Sequence, residues 1–168
     1  MVRVANPHEW VTVADVTKLA YEQYAAEADP SFWTMYETGT RETLLSEADI
    51  TRIVSIEDNE IAASVVYVPP YEKRFGDQTI KNPFPEMRLL SVLPRFRNRG
   101  LADKLIETCE QRALQEGHAA ITLHTTRLMT VAKAMYERRG YTRFPVIDFE
   151  PVPGFVVWGY VKKFNGGT

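Results

Sequence analysis

The feature that most constrains the fold is a basic turn between a strand and an amphipathic helix. Residues Glu86 to Leu93 have the composition of a β-strand, and the turn from Pro94 to Gly100 carries three arginines. Apolar residues then recur with helical spacing, and Gly117 is placed to end that helix. They are Leu101, Ala102, Leu105, Ile106, Cys109 and Ala113. This order predicts a helix that begins directly at the turn.

The start of such a helix is a natural phosphate site, because its first N–H groups have no internal acceptor and this end is partially positive. The N–H groups from Arg97 to Ala102 would be presented there, and Gly100 allows close approach of a ligand. The alternative is a solvated charge run before an ordinary helix. Neither GxGxxG nor GxxxxGK[ST] is present, so the turn predicts a diphosphate ligand other than a dinucleotide or P-loop nucleotide.

The amino-acid composition further limits the classes of protein and ligand that are compatible with this sequence. The chain has 168 residues and a formal net charge of −2, which favours one domain and gives no broad footprint for nucleic acid. Cys109 is the single cysteine and precludes an intramolecular disulfide, and the three histidines lack metal-ligand spacing, so we expect no metal. No apolar run suits a signal peptide or a membrane span, so we expect a cytoplasmic protein without a membrane partner.

The other patterns indicate alternating helices and strands. Tyr71 to Pro85 contains glycine and several prolines and predicts a long loop that could cover a site. With no internal repeat or linker, we expect a single domain over residues 1–164 and a mobile tail, Asn165–Thr168. The remaining predicted elements are strands at 2–5, 50–57, 61–68, 119–124, 141–149 and 155–164, and helices at 13–24, 32–48 (interrupted at Gly39) and 129–139.

The motif Arg97-Asn98-Arg99-Gly100-Leu101-Ala102 resembles the Arg/Gln-x-x-Gly-x-Gly/Ala signature of the GNAT superfamily of N-acetyltransferases. Leu90–Pro94 is similar to the central strand of that family, and Ala134–Tyr141 is similar to its late helix and turn. The resemblance covers nearly the whole chain and is strongest from Glu86 to Tyr141. It implies a single α/β (α+β) domain with a mixed, mostly antiparallel sheet of about seven strands flanked by helices. Two splayed parallel strands would form the coenzyme A cleft.

The resemblance implies acetyl-CoA, or a related acyl-CoA, as co-substrate, with its pyrophosphate on the turn amides. Asn98 replaces a common glycine, and asparagine tolerates the unusual backbone angles needed there. Met129 stands where the family often has asparagine, so Thr130 or Arg127 would supply that contact. The implied cofactor-binding residues are Leu90, Ser91, Val92, Arg97, Asn98, Arg99, Gly100, Leu101, Ala102, Thr130 and Tyr136.

Acetyl transfer to an amine requires that an ammonium group, with a pKa of about 10.4 when it resembles lysine, loses a proton, and that the departing thiolate gains one. By motif position, Glu86 matches the family's general base and Tyr136 the tyrosine near the thioester sulfur. The alternatives are an exposed strand-end glutamate and a core aromatic residue. We expect direct transfer without an acyl-enzyme, because Cys109 lies on the apolar helix face.

Aromatic residues predict an apolar or cation-binding wall for the acceptor, which would be a small-molecule amine or a protein amine. His124 ends a strand and could meet substrate or help to move a proton. Other hypotheses are an acyl-CoA-binding module without turnover, and acyl transfer to oxygen. The edges of the final strands are compatible with a homodimer. The candidate substrate-binding residues are Phe32, Trp33, Tyr36, Phe84 and His124.

Overall fold

A computed structural model describes residues 1–165 and gives them four α-helices and ten β-strands. The helices are α1 (Trp10–Ala25), α2 (Pro30–Leu45), α3 (Leu101–Gln115) and α4 (Thr130–Arg138). The strands are β1 (Val2–Val4), β2 (Thr51–Glu57), β3 (Glu60–Val68), β4 (Tyr71–Phe75), β5 (Gln78–Asn82), β6 (Glu86–Val92), β7 (Ala120–Thr125), β8 (Thr142–Arg143), β9 (Phe149–Val152) and β10 (Phe155–Lys163). Residues 166–168 of the predicted tail lie outside the described part.

The chain forms one α/β domain with a mixed, mostly antiparallel sheet of eight strands, as the resemblance implied. Strands β4 and β5 form a separate two-stranded sheet. Within the domain there are two compact units, the first made of residues 1–68 and 88–109, and the second of 69–87 and 110 onward. Strand β6 contributes residues to both.

In the first unit, β2 pairs antiparallel with both β1 and β3, with Val4 opposite Ile53 and Ile53 opposite Val65. Strand β3 is buried from Ile61 to Val68, because helix α1 and neighbouring strands cover it. Helix α1 buries one stripe of side chains, formed by Val13, Ala14, Val16, Thr17 and Ala20. Val13, Val16 and Ala20 recur at the spacing of one helix face, whereas Leu19 is exposed.

In the second unit, the start of β6 pairs in parallel with β7, where Glu86 lies opposite Thr122 and Met87 opposite Leu123. Strand β7 pairs antiparallel with β10, which also carries the short strands β8 and β9. Ile121, Leu123 and Ile147 are at most 1% exposed and form part of the core of this unit.

Three local predictions were wrong. The segment expected to be a long loop is the hairpin β4–β5, because its prolines flank the two strands instead of interrupting them. Helix α2 runs through Gly39, since one exposed glycine costs a helix only about 1 kcal/mol. The strand expected over 141–149 is broken by a 3-10 turn at Pro145–Ile147.

Within residues 1–165, no helix has the length and apolarity required to cross a membrane.

Candidate active site

The turn before α3 has the backbone geometry that the motif predicted. Asn98 has a φ of 62° and Gly100 a φ of 76°, both in the left-handed region, so the expected tolerance of Asn98 is confirmed. A Cβ atom built on Gly100 would meet no atom within 4 Å, so the space above it is open. Lys104 donates its N–H to the carbonyl of Gly100 at 3.2 Å. The N–H groups of Leu101 and Ala102 precede that bond and lie in the first turn, where a helix has no acceptor of its own.

The side chain of Arg97 attaches this turn to helix α1. Its guanidinium donates to the carbonyl of Ala20 at 3.2 Å and to Oε1 of Gln23 at 3.3 Å. A cation is favourable near the last turns of a helix, where carbonyl groups point outward. The sequence analysis predicted that Arg97 adds positive charge for a phosphate. In the structure, its side chain instead holds the turn against α1 and leaves the backbone amides for a ligand.

The other two arginines of the turn flank Phe96. The guanidinium groups of Arg95 and Arg99 each lie 5.0 Å from the centre of its ring. Arg95 donates to Glu60, whereas the nearest carboxylate oxygen of Asp58 lies 4.0 Å from Arg99, whose side chain is 51% exposed. Arg99 is therefore the arginine of this turn that is best able to reorient toward an anion.

Strand β6 is irregular where the resemblance implied a bulge. Leu89 has a φ of 54°, which is unfavourable for a non-glycine residue and costs about 1–3 kcal/mol. Oγ of Ser91 donates to the carbonyl of Leu89 at 2.8 Å, and the hydroxyl of Tyr21 donates to the carbonyl of Leu90 at 3.0 Å. A carbonyl oxygen has two lone pairs and can accept from two donors. That these residues bind pantetheine stays a prediction.

In the second unit, Glu86 and His124 form a buried pair. Oε1 of Glu86 lies 2.5 Å from Nδ1 of His124 and also accepts a hydrogen bond from the hydroxyl of Tyr71 at 3.1 Å. Glu86 is 0% exposed, so its alternative as an exposed strand-end residue is wrong. The structure thus brings together two residues that the sequence had assigned separately, one to catalysis and one to substrate binding.

The other ring nitrogen of His124 is also engaged. Its Nε2 lies 2.7 Å from the carbonyl oxygen of Ile147, and the ring packs edge-on against Phe149 at 5.2 Å between centroids. Because a carbonyl oxygen can only accept, Nε2 carries a proton. The imidazole is therefore held at both nitrogens, and its side chain is 11% exposed.

A buried hydrogen-bond chain positions the strand that carries Glu86. Nδ2 of Asn82 donates to Oγ1 of Thr122 at 2.7 Å, and that hydroxyl donates to the carbonyl of Pro85 at 3.0 Å. The backbone N–H of Thr122 donates to the same carbonyl at 2.9 Å. The hydrogen bonds of Asn82 and Tyr71 were not predicted, because both residues lie in the segment that was expected to be a loop.

The carbonyl that receives His124 is held by strand β10. The N–H of Phe144 donates to the carbonyl of Gly159 at 2.8 Å, and the N–H of Gly159 donates to Oδ1 of Asp148 at 2.6 Å. Burial alone would raise the pKa of Asp148, but hydrogen bonds from Arg143 and from Gly159 outweigh it and lower this pKa. Asp148 is therefore an anion at neutral pH.

Helix α4 carries the predicted proton donor. Tyr136 is 8% exposed, and its ring meets that of Tyr141 edge-on at 5.9 Å. Tyr141 is 2% exposed, and its hydroxyl donates to Oε1 of the buried Glu110 at 2.9 Å. Thr130 is the first residue of the helix and is exposed, and the side chain of the preceding Met129 gives no capping hydrogen bond. The role of Tyr136 stays a prediction.

Three of the aromatic candidates lie on α2 in the first unit. The Tyr36 ring lies 6.1 Å from that of Phe32 and 5.6 Å from that of Trp33. Trp33 and Tyr36 line a cavity of about 570 Å³ between α1 and α2, and burial raises the pKa of Tyr36 to about 12, so its hydroxyl stays protonated. Two ion pairs also line this cavity: Asp15 with Arg41, and Lys18 with Glu37.

The other two candidates, Phe84 and His124, belong to the second unit. Phe84 contacts Phe144 with a centroid separation of 6.3 Å. Among residues 1–165, no group of three or more histidine, cysteine, aspartate or glutamate side chains is arranged to hold a metal ion.

A mixed sheet with the parallel strand pair β6–β7, together with a glycine turn at a helix start, defines the class of fold that the motif implied. The family model of the GNAT acetyltransferases matches residues 13–141. The protein belongs to the GNAT acetyltransferase family, and family membership supports an acyltransferase. No curated protein sequence matches the chain significantly.

Solved structures with this fold are distant in sequence. The PaiA N-acetyltransferase from Thermoplasma acidophilum, in complex with coenzyme A, superposes with a TM-score of 0.73 at 16% identity over 98% of each chain. An HPA2-related acetyltransferase from Corynebacterium glutamicum gives 0.72 at 16% identity, over 100% of this chain and 98% of the other. A Brucella melitensis family member with acetyl-CoA gives 0.65 at 16% identity, over 99% and 88%. At these identities, the comparisons establish the fold.

Proposed function

We propose that the protein transfers an acetyl group from acetyl-CoA directly to the primary amine of an acceptor. The observation that carries this proposal is the turn at Asn98–Gly100, whose two left-handed residues lead into α3 with open space above Gly100. Backbone N–H groups at a helix start bind phosphate well. Structures of the same fold from Thermoplasma acidophilum and Brucella melitensis hold coenzyme A and acetyl-CoA, which supports this ligand.

In this proposal the amides of Gly100, Leu101 and Ala102 bind the pyrophosphate, and Arg99 adds charge. The irregular stretch from Leu90 to Val92 pairs with the pantetheine through backbone groups. Thr130, at the start of α4, replaces the polar contact that Met129 cannot supply. Each of these roles extends the resemblance to residues whose local geometry suits it.

Each proton in the proposed transfer has a donor and an acceptor. The acceptor ammonium loses a proton to the buried Glu86 through an ordered water, and the amine nitrogen then forms a bond to the thioester carbon as the C–S bond breaks. Tyr136 gives its proton to the departing sulfur, and the acylated nitrogen loses a second proton, which restores Tyr136. Once Glu86 releases its proton to solvent, the net products are an N-acetyl amide, coenzyme A as the thiol, and one proton. The acceptor is a small-molecule amine or a protein amine, and a homodimer stays a prediction.

The binding step is tested by comparing two glycines at opposite ends of α3. Gly100 and Gly117 are both exposed, have φ values of 76° and 83°, and have no atom within 4 Å of a built Cβ. Gly100→Ala and Gly117→Ala should each cost about 1–2 kcal/mol of stability. In calorimetric titration with coenzyme A, only Gly100→Ala should weaken binding, by about tenfold for about 1.4 kcal/mol lost. Equal affinities in both variants, or no binding by the parent protein, would refute the turn as the site.

Turnover is tested by screening amines for release of the coenzyme A thiol from acetyl-CoA. With an active amine, Tyr136→Phe should lower kcat by about 10²–10⁴-fold, the usual contribution of a general acid. An unchanged kcat would remove Tyr136 from this role. Binding of coenzyme A without turnover of any amine would identify an acyl-CoA-binding module, and a product that is labile in mild base would identify transfer to oxygen.

A further inference from the structure

Glu86 is buried, and a buried carboxyl group can act as a base only if the protein stabilises its ionised form. A base must be ionised before it takes a proton, and a carboxylate removed from water is costly unless a cation or hydrogen bonds compensate it. Glu86 is 0% exposed. Water therefore cannot stabilise its charge, and the protein must supply the compensating group.

His124 has the position and the protonation to be that group. Its Nε2–H is committed to the carbonyl of Ile147 at 2.7 Å, so the other nitrogen, Nδ1, is the one that meets Glu86. At 2.5 Å from Oε1, a proton must lie between the two atoms, since two lone pairs would repel each other there. The hydroxyl of Tyr71 also donates to Oε1, which favours the carboxylate and leaves the proton on Nδ1.

The charges around His124 suit an imidazolium ion. Asp148 is an anion, because hydrogen bonds from Arg143 and Gly159 outweigh its burial and lower its pKa. Arg143 pairs with Asp148 at 2.6 Å, and Glu86 is the carboxyl group that contacts Nδ1 of His124. Tyr71 is a further titratable group that contacts Glu86. The surroundings therefore balance a doubly protonated His124.

We propose that His124 is a positioning residue which, as an imidazolium ion fixed on the Ile147 carbonyl, keeps the buried Glu86 ionised and therefore competent as the base. This inference rests on the proposed function. When Glu86 accepts the proton, an N–H bond of the acceptor ammonium breaks and an O–H bond forms on the carboxyl group, while His124 keeps both of its ring protons. The pair then carries one positive charge, which Asp148 faces.

The protonation state is directly measurable without an acceptor, because the chain has three histidines. In nitrogen-15 NMR of the full chain, the His124 ring, assigned by its loss in His124→Asn, should show both nitrogens protonated at neutral pH, above the ordinary histidine pKa of about 6.5. Glu86→Gln should lower the pH at which the Nδ1 proton is lost, because the carboxylate partner is removed. An unprotonated Nδ1 in the parent protein at neutral pH would overturn the proposal.

A second measurement separates charge from structure. Asparagine at position 124 can still donate to Glu86 but carries no charge, so the Glu86 carboxylate loses its cation. The pH profile of kcat/KM is measured with an amine found in the thiol-release screen. Its acid limb should move to higher pH by about one to three pH units in His124→Asn. Tyr71→Phe, which removes a neutral donor only, should move it less. A lower rate with an unmoved limb in His124→Asn would assign His124 a purely structural role. Calorimetric titration of the same variants with coenzyme A separates two failures. If coenzyme A binds but the acid limb does not move, the role of His124 fails; if the parent protein does not bind coenzyme A, the proposed function fails.

Discussion

Gly159 is the position where a single methyl group should disturb the second unit most. A Cβ atom built there would lie 2.5 Å from the carbonyl oxygen of Phe144 and would overlap Cγ1 of Ile147. Ile147 is 0% exposed, so its side chain has no open space into which to rotate. Gly159→Ala therefore requires the 3-10 turn at Pro145–Ile147 to move away from β10.

The cost of this movement has two parts. Overpacking in a filled core costs about 1–3 kcal/mol. Displacing Asp148 from the N–H of Gly159, a bond of 2.6 Å to a charged group, adds about 1.5–3 kcal/mol if the bond is lost. We expect a total loss of about 3 kcal/mol or more. For a domain of this length, that loss corresponds to a fall in Tm of about 6–12 °C.

Urea denaturation and thermal melts measure this loss, and Gly39→Ala is the matched control. Gly39 lies within α2 and has no atom within 4 Å of a built Cβ, so alanine there should stabilise the helix by about 0.5–1 kcal/mol. The histidine NMR signal of Nε2 should also change in Gly159→Ala, because Ile147 supplies its acceptor. A loss below about 1 kcal/mol would refute the packing argument.

Two further predictions concern the first unit. Arg52 is 3% exposed, and its guanidinium group donates to the carbonyls of Leu44 and Ser46 at 2.7 Å each. Lysine lacks the planar guanidinium group that makes these two bonds, so Arg52→Lys should lower the free energy of unfolding in urea denaturation by about 2–4 kcal/mol. A loss below about 0.5 kcal/mol would contradict this expectation. The hydrogen bond from Arg3, followed by other contacts, lowers the pKa of Glu9 to about 2 from 4.5. Because the ionised form is the stabilised one, Glu9→Gln should be less stable than the parent at neutral pH, and urea titrations should show the difference disappear as the pH falls from about 4.5 to about 2. A difference that is independent of pH would show that this ion pair contributes nothing.

The sequence predicted the elements whose patterns are local. The stripe from Leu101 to Ala113 gave helix α3, and the β-rich runs on either side of Asp58–Asn59 gave the hairpin β2–β3. Gly100 and Asn98 indicated a turn with left-handed backbone angles, because few other residues adopt that conformation readily. The hairpin β4–β5 was missed because only Ile80 and Asn82 of its ten strand residues are buried, so its strands lack an alternating apolar pattern.

The candidate site was only partly visible in the sequence. Motif position singled out Glu86, but nothing local indicated that His124 would lie 2.5 Å away or that Tyr71 would share the same oxygen. The side chain of Arg97 was expected to add charge for phosphate, and instead it joins the turn to α1. These contacts link residues far apart in the chain, and no periodicity encodes them.

What the sequence determined by itself is the set of helices and strands with strong periodicity, the phosphate-type turn, and the family, because each depends on neighbouring residues along the chain. The tertiary structure alone decided which charges meet. Sheet pairing brings Glu86 opposite Thr122, two residues before His124, and β10 holds the turn whose carbonyl receives the imidazole. Protonation of a buried group depends on such distances in space, because Coulomb and hydrogen-bond energies are set by the separation between atoms and not by the number of residues between them in the chain.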